Sequence, residues 1–274
     1  KDIEEIDIDY IIINTTMYSY EEDLKVCTAC KRINSKIITI AKGAIFFYDT
    51  LTVMKKYPDL DIAVSNEEEI TIYELSLGKD LNDIKNITYR QDNNIIENPR
   101  YISHDLKLPI PEVRQINHKL YRRPDTNEVQ ATIVVGRGCP GRCIYCIAPI
   151  VGGRVLRYRM IDEIIDEIKL YHLSYSISNF YFSADTFTWD YKWVHDFCDA
   201  IRKLKFKISW LCTARADRLS SELLLDMKSV GCWGLSIGIE SGNENIQKLI
   251  KKDLTKQIII DTIRLCKRYK IVTL

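Results

Sequence analysis

Short apolar runs alternate with amphipathic segments along most of this 274-residue chain, and this alternation restricts the fold more than any other feature. In the first part of the chain the apolar runs cover 6–14, 36–41 and 62–64, and the segments with helical spacing cover 20–33, 51–57 and 67–77. A strand–helix alternation predicts a parallel sheet with helices on its faces. We expect residues 1–97 to form an α/β domain with a Rossmann-like, doubly wound sheet that ends in a short hairpin at 87–96.

A stretch without periodicity follows, and it contains four prolines: Pro99, Pro109, Pro111 and Pro124. Such a composition is typical of an extended linker, which we place at 98–128. The alternation then resumes, with apolar runs at 131–135, 180–183, 207–212, 235–239 and 271–274 and helical segments at 161–171, 194–204, 220–230 and 256–269. This repeat predicts a (βα) TIM-type barrel over 129–274, with functional residues in the loops after the strands. The chain begins without Met and ends in an apolar run, so we expect both domains to be incomplete at the termini.

The composition excludes several classes of protein. The chain has 39 basic and 38 acidic residues, a balance that predicts neither a nucleic-acid partner nor a charged membrane surface. No apolar stretch approaches the roughly 20 residues of a membrane-spanning helix. The nine cysteines include only one tight group, which favours a reducing, cytoplasmic location over a disulfide-linked exterior.

That tight group lies between Gly136 and Cys146, directly after the apolar run at 131–135, with the spacing Cys-x3-Cys-x2-Cys. Three thiolates so close together can bind one iron–sulfur cluster and leave one iron with an open position. A zinc site would need a fourth ligand, and no further Cys or His lies nearby in the sequence. Purely structural cysteines would not require the surrounding glycines, which suit a backbone that wraps closely around a ligand. The sequence therefore predicts a cluster-binding loop.

The three cysteines, Cys139, Cys143 and Cys146, together with the aromatic Tyr145, resemble the signature of the radical S-adenosylmethionine (SAM) superfamily. The resemblance implies that the thiolates hold a [4Fe–4S] cluster and that the fourth iron binds the amino and carboxylate groups of SAM. Reductive cleavage of SAM then yields a 5′-deoxyadenosyl radical. Tyr145 is expected near the adenine, and no catalytic residue beyond the cluster ligands is predicted.

Three strand-end segments also resemble SAM-binding stretches of this superfamily, and they contribute Ser183, Asp185, Arg215, Glu240 and Ser241. The resemblance implies contacts to the SAM amino group from the first segment, and to its carboxylate and ribose from the other two. Two simpler interpretations stay open: Asp185 as a helix cap, and Arg215 in an ordinary salt bridge with a neighbouring acid. Three further arginines, Arg154, Arg157 and Arg159, suit an anionic ligand and a solvated basic strip equally well.

The first part of the chain resembles the cobalamin-binding domain and linker of the B12-binding group of this superfamily. The resemblance rests on residues 9–16, 61–75, 87–99 and 108–111. It implies cobalamin as a further cofactor. A glycine-rich stretch common in that group is reduced here to Lys42-Gly43, and none of the four histidines is assigned as a ligand. The domain is therefore expected to bind cobalamin, to bind it without a protein axial ligand, or to be a vestigial platform.

The leading hypothesis is a radical SAM enzyme that methylates or rearranges an unreactive carbon with the help of cobalamin. It would act on an unidentified substrate and receive electrons from a donor such as flavodoxin or ferredoxin. One alternative is a methylthiotransferase acting on RNA or protein, although the first domain offers only Cys27 and Cys30 for the second cluster of that family. The other is a non-catalytic iron–sulfur electron-transfer module, which should have a fourth cysteine and lack Asp185, Arg215 and Glu240.

Overall fold

A computed structural model describes residues 8–92, 94–123 and 125–274. It divides into two compact units: one contains the residues up to Ser103 together with Ile150–Gly152, and the other contains His104–Pro149 together with Gly153–Leu274. The elements of the first unit are, in chain order, β1 (Tyr10–Thr15), α1 (Tyr20–Asp23), α2 (Lys25–Ile33), β2 (Ile38–Gly43), α3 (Thr50–Lys56), β3 (Ile62–Val64), α4 (Glu68–Ser76), β4 (Ile87–Gln91) and β5 (Asn94–Glu97).

The sheet of the first unit has the strand order β1-β2-β3-β4-β5. Strands β1 to β3 are parallel, while β4 and β5 form an antiparallel hairpin at one edge. The three parallel strands therefore end on the same edge of the sheet, at Thr15, Gly43 and Val64. At Gly43, which has φ +147°, an added Cβ would lie 2.1 Å from the carbonyl oxygen of Thr15. The close approach of these two strand ends is thus sufficient to explain why position 43 is a glycine.

The elements that follow are, in chain order, β6 (Ala131–Val134), β7 (Gly136–Arg137), α5 (Ala148–Val151), β8 (Arg157–Tyr158), α6 (Ile161–Tyr175), β9 (Asn179–Ser183), α7 (Tyr191–Arg202), β10 (Ser209–Ala214), α8 (Ser221–Ser229), β11 (Cys232–Ile237), α9 (Glu244–Leu249), α10 (Lys256–Arg268) and β12 (Val272–Thr273). The second unit contains a parallel sheet with the order β12-β11-β10-β9-β6. Its strand carboxyl ends share one edge, where the loops that follow the strands meet.

An aromatic cluster fills the space between this sheet and its helices. Phe182 lies on β9 and Trp210 on β10, and their ring centroids are 5.3 Å apart. Both side chains are fully buried, and the indole N–H of Trp210 donates to the carbonyl oxygen of Val230 at 3.0 Å. Burial of side chains this large stabilises a fold by about 1.5–3 kcal/mol each, so the strands that carry the site rest on a rigid layer.

The alternation read from the sequence is confirmed as an α/β fold with parallel strands, but several boundaries differ. The predicted helix at 20–33 is interrupted at Leu24, and β11 begins at Cys232, three residues before the predicted start. The earlier start accompanies a register shift of the β10–β11 pair between Trp210 and Leu211. Ser220 caps α8 as expected, because its hydroxyl accepts the N–H of Leu223 at 3.1 Å. Within the described residues, no helix is long and apolar enough to cross a membrane.

Candidate functional site

The segment from Gly138 to Cys146, hereafter the cysteine loop, follows β7 and is held by main-chain hydrogen bonds along its length. The N–H of Gly138, where φ is +89°, donates to Asp185 Oδ2 at 2.7 Å. The N–H of Cys139 donates to the carbonyl oxygen of Gly153 at 3.0 Å. The N–H of Ile144 donates to the carbonyl oxygen of Ile250 at 3.1 Å. The loop is thereby attached to the segments after β9 and after α9.

All three cysteines of this loop are free thiols. Cys139 is buried, and its sulfur lies 3.5 Å from Thr186 Oγ1, whereas Cys143 and Cys146 are partly exposed. Burial raises the pKa of the Cys146 thiol. A Cβ at position 141 would lie 3.1 Å from the sulfur of Cys139, so Gly141 leaves room beside that thiol. Three soft donors on one glycine-containing loop fit an iron–sulfur cluster, in which each thiolate binds a different iron.

Asp185 and Ser183 belong to the segment that begins at the end of β9. Asp185 is not a helix cap: α7 is capped by Asp190, whose carboxylate accepts the N–H of Trp193 at 3.0 Å. The observed role of Asp185 is to fix the start of the cysteine loop through Gly138. Ser183 accepts the N–H of Val135 at 2.9 Å with its main-chain oxygen, which aligns the end of β9 with the strand that leads into the loop.

Arg215, just after β10, forms the salt bridge that the simpler interpretation expected and also reaches the cysteine loop. Its Nε and Nη2 donate to the two carboxylate oxygens of Asp217 at 2.9 and 3.1 Å. Its Nη1 lies 3.8 Å from the sulfur of Cys143, and its Nη2 also donates to the carbonyl oxygen of Lys252 at 3.1 Å. A fixed positive charge therefore lies beside one of the three cysteines.

Glu240 and Tyr145 are joined by a residue that the sequence analysis did not identify, Lys252. The Lys252 ammonium donates to Glu240 Oε1 at 2.8 Å and to the Tyr145 hydroxyl at 3.1 Å. The hydrogen bond from Lys252 lowers the pKa of Glu240, and burial raises the pKa of Tyr145. The only sequence signal was a lysine pair between two helices, a pattern that usually indicates solvent exposure.

The two serines expected at the site make no side-chain hydrogen bond to the cysteine loop in the described chain. These are Ser183 and Ser241. The Ser241 hydroxyl accepts the N–H of Asn243 at 3.1 Å.

The three arginines between the loop and α6 do not form a solvated strip. Arg157 and Arg159 are buried, and Arg159 forms an ion pair with Glu167 at 2.6 Å in which both side chains are at most 2% exposed. Arg159 also donates to the carbonyl oxygen of Val134 at 3.0 Å, so it ties α6 to the carboxyl end of β6. Arg154 is exposed and donates to the carbonyl oxygen of Gly141 at 3.1 Å, which supports the cysteine loop.

In the first unit, Cys27 and Cys30 lie on α2 and are buried in the core. Burial raises the pKa of the Cys27 thiol to about 11, and both side chains suit a packing role. At the end of β3, the side-chain oxygen of Asn66 is buried and has no hydrogen-bond partner among the described residues. That orphaned acceptor lies at the same sheet edge as Thr15 and Gly43.

Comparison with known proteins places these features in a family context. The Radical SAM superfamily profile matches residues 133–274. The uncharacterized methyltransferase PH0819 of Pyrococcus horikoshii is 26% identical over 275 residues, which cover 98% of this chain and 60% of that protein.

Two solved structures share the fold. The cobalamin-dependent S-adenosylmethionine radical enzyme OxsB, with aqua-cobalamin bound, matches with a TM-score of 0.80 at 19% identity over 99% of this chain and 41% of its own. The radical S-adenosylmethionine methyltransferase TsrM from Kitasatospora setae, with cobalamin and a [4Fe-4S] cluster bound, gives a TM-score of 0.77 at 16% identity over 99% and 58%. The chain thus spans less than two thirds of each of these three proteins.

Proposed function

Because this chain belongs to the radical SAM superfamily, we propose that it cleaves SAM reductively at a [4Fe–4S] cluster held by Cys139, Cys143 and Cys146. The observation that carries the proposal is that three free thiols share one loop, which is attached to the residues after the neighbouring strands β9 and β10 and to the turn after α9. When bound, the cluster would supply the electron, received from a reduced donor, that cleaves the sulfonium of SAM to methionine and a 5′-deoxyadenosyl radical. The remaining chemistry assigned to this chain is positioning and the exclusion of water.

The contacts at the strand ends support distinct roles for the side chains around the loop. Arg215, whose guanidinium already reaches Cys143, is suited to pair with the carboxylate of SAM, because guanidinium–carboxylate pairs are strong and directional. Glu240 is suited to accept hydrogen bonds from the ribose hydroxyls, and Tyr145 to lie along the adenine. Asp185 and Ser183 would keep the loop in register with the end of β9, and Ser241 would shape the turn after Glu240.

For the whole protein we propose a cobalamin-dependent methyltransferase or a related enzyme that acts on an unreactive carbon. In this proposal residues 1–97 are a Rossmann-like cobalamin-binding-type domain, 98–128 a linker, and 129–274 the first part of a (βα) barrel. The support is the likeness to PH0819, OxsB and TsrM, the parallel strand edge of the first unit, and the orphaned oxygen of Asn66 at that edge. A reduced flavodoxin or ferredoxin is the class of electron donor that the reaction requires.

The two alternatives receive less support. A methylthiotransferase needs cysteines that are available for a second cluster, whereas Cys27 and Cys30 are buried in the core of the first unit. A simple electron-transfer module would not need Arg215 and Glu240 beside the cysteine loop.

Anaerobic reconstitution with iron and sulfide, followed by reduction in the presence of SAM, tests the central proposal. We expect about four iron atoms per chain, as a [4Fe–4S] cluster requires, and release of 5′-deoxyadenosine. The variant Cys143→Ala should lose both. Cys198→Ala is the matched control, because Cys198 is a buried cysteine of α7, and it should retain both. If the reduced, iron-loaded protein releases no 5′-deoxyadenosine, the proposed function is wrong.

A further inference from the structure

Lys252 is a charged residue in an unusual location. It is only 6% exposed, and its ammonium lies between the Tyr145 hydroxyl at 3.1 Å and the Glu240 carboxylate at 2.8 Å. A buried ammonium is costly unless it is paired and hydrogen-bonded. Its position is therefore determined by two partners, one on the cysteine loop and one on the segment after β11.

The turn that carries Lys252 is fixed independently of that ammonium. The N–H of Lys252 donates to the carbonyl oxygen of Gln247 at 3.0 Å. The buried side chain of Gln247 donates in turn to the carbonyl oxygens of Ile239 and Ser241 at 2.6 and 2.5 Å. The residues on either side, Lys251 and Asp253, have φ values of +55° and +59°. Left-handed conformations at residues other than glycine persist where the surrounding structure enforces them, so this turn is a rigid base for the side chain.

On the side of Gly238 the ion pair is closely packed. A Cβ at position 238 would lie 2.7 Å from Glu240 Oε1 and 2.8 Å from Lys252 Nζ. The same turn makes two more contacts through its main chain. The carbonyl oxygen of Ile250 accepts the N–H of Ile144. The carbonyl oxygen of Lys252 accepts a hydrogen bond from the Arg215 guanidinium. One short turn thus contacts the cysteine loop by main chain and by side chain.

We propose that Lys252 is a positioning residue that holds Tyr145 and Glu240 at a fixed separation, and so sets the width of the opening in which the nucleoside part of SAM binds. That the ligand is SAM rests on the proposed function. The effect of Lys252 on the position of the cysteine loop does not depend on it. In this role Lys252 acts through these two side chains.

The test begins with cluster-free protein and three variants. Lys252→Met keeps most of the length and loses the charge, Lys252→Arg restores a cation, and Lys248→Met is a matched control on the exposed surface of α9. Iodoacetamide labelling of Cys143 and Cys146, followed by peptide mass spectrometry, should be several-fold faster in Lys252→Met than in wild type. Lys248→Met should equal wild type, and Lys252→Arg should recover part of the difference. Tyr145→Phe, which removes only one partner, should change labelling in the same direction.

The second measurement uses reconstituted protein. Lys252→Met should retain its iron yet bind SAM about tenfold more weakly, a loss of about 1.4 kcal/mol. A purely structural role would instead lower iron content and thermal midpoint together. If labelling of Cys143 and Cys146 is unchanged in both Lys252→Met and Tyr145→Phe, the positioning role is overturned even when the wild type produces 5′-deoxyadenosine. If the wild type produces none, the proposed function fails while the labelling result still decides whether Lys252 orders the loop.

Discussion

Arg215 holds three different partners with one guanidinium: the Asp217 carboxylate, the carbonyl oxygen of Lys252 and the sulfur of Cys143. A planar fork of donors can make these bonds at once, whereas a lysine ammonium is a point charge on a flexible stem. We expect Arg215→Lys to weaken SAM binding about tenfold, within the range for one charge-assisted hydrogen bond, at unchanged iron content. Arg264→Lys, on the exposed face of α10, is the matched control. Equal SAM affinity in Arg215→Lys and wild type, by equilibrium dialysis, would contradict this role.

The nine cysteines should differ sharply in reactivity, because their surroundings differ. Burial raises the pKa of Cys27 to about 11 and that of Cys232 to about 12, so at pH 8 about one molecule in a thousand or fewer carries the thiolate of either residue. Cys143 is partly exposed and lies beside the Arg215 guanidinium. In folded, cluster-free protein we expect iodoacetamide to modify Cys143 well before Cys27 or Cys232.

Peptide mass spectrometry over a time course measures that order directly. Addition of urea is the control, since unfolding should make all nine cysteines react at similar rates. Modification of Cys27 as fast as Cys143 in the folded protein would show that α2 does not bury its thiols.

At the scale of elements, the loop after β11 contains two glycines with different surroundings. An alanine at position 238 would force the Glu240 and Lys252 side chains apart, because its Cβ would lie within 3 Å of both. At Gly242 a Cβ would have no atom within 4 Å. We therefore expect Gly238→Ala to weaken SAM binding several-fold, while Gly242→Ala binds like wild type.

Both glycine variants should keep a thermal midpoint close to that of wild type, because the atoms displaced by Gly238→Ala are the ends of flexible side chains. Binding is measured by equilibrium dialysis on reconstituted protein. Equal SAM affinities in the two variants would argue that the Glu240–Lys252 pair does not shape the ligand site.

The buried ion pair between α6 and the segment before it gives a prediction of stability. Arg159 and Glu167 form a buried pair that joins β6 to α6. Removing one member of such a pair costs about 3–5 kcal/mol, and the next carboxylate, that of Glu163, is 4.0 Å from Arg159 Nε and does not replace the lost contact. Glu167→Gln should lower the free energy of unfolding by this order, as measured by urea denaturation. The control Asp166→Asn, at a neighbouring carboxylate that is 63% exposed, should change it by less than about 1 kcal/mol.

The elements with clear apolar periodicity could be predicted from the sequence, while contacts between distant charged residues could not. The strand at Ile62–Val64 and the cap at Ser220 were found as predicted, since both depend on nearby residues. The helix α9 was not predicted, because its six residues are too few to show a helical periodicity. Lys252 and Glu167 have charged side chains that normally indicate exposure, and only the fold brings each to its buried partner.

At the scale of the whole molecule, the cluster site could be predicted from the sequence more readily than a cobalamin site. The cysteine loop contains its three ligands within a few residues, whereas a corrin site would be assembled from separate loops at the edge of a sheet. In the described first unit that edge provides the ends of β1 to β3 and the orphaned oxygen of Asn66. Gly43 adds nothing to the case for cobalamin, because its contact with Thr15 already requires a glycine.

Cobalamin binding is a property of the whole chain, and its mode can be predicted. The first histidine of this sequence is His104, which belongs to the second unit, so residues 1–103 contain no imidazole that could serve as an axial ligand. We expect the full chain to retain hydroxocobalamin through gel filtration and, after reduction to cob(II)alamin, to give the same electron paramagnetic resonance spectrum with ¹⁵N-labelled as with unlabelled histidine. A change in nitrogen splitting on labelling would reveal a histidine ligand. Failure to retain cobalamin would instead show that this chain does not hold a corrin, even if it cleaves SAM.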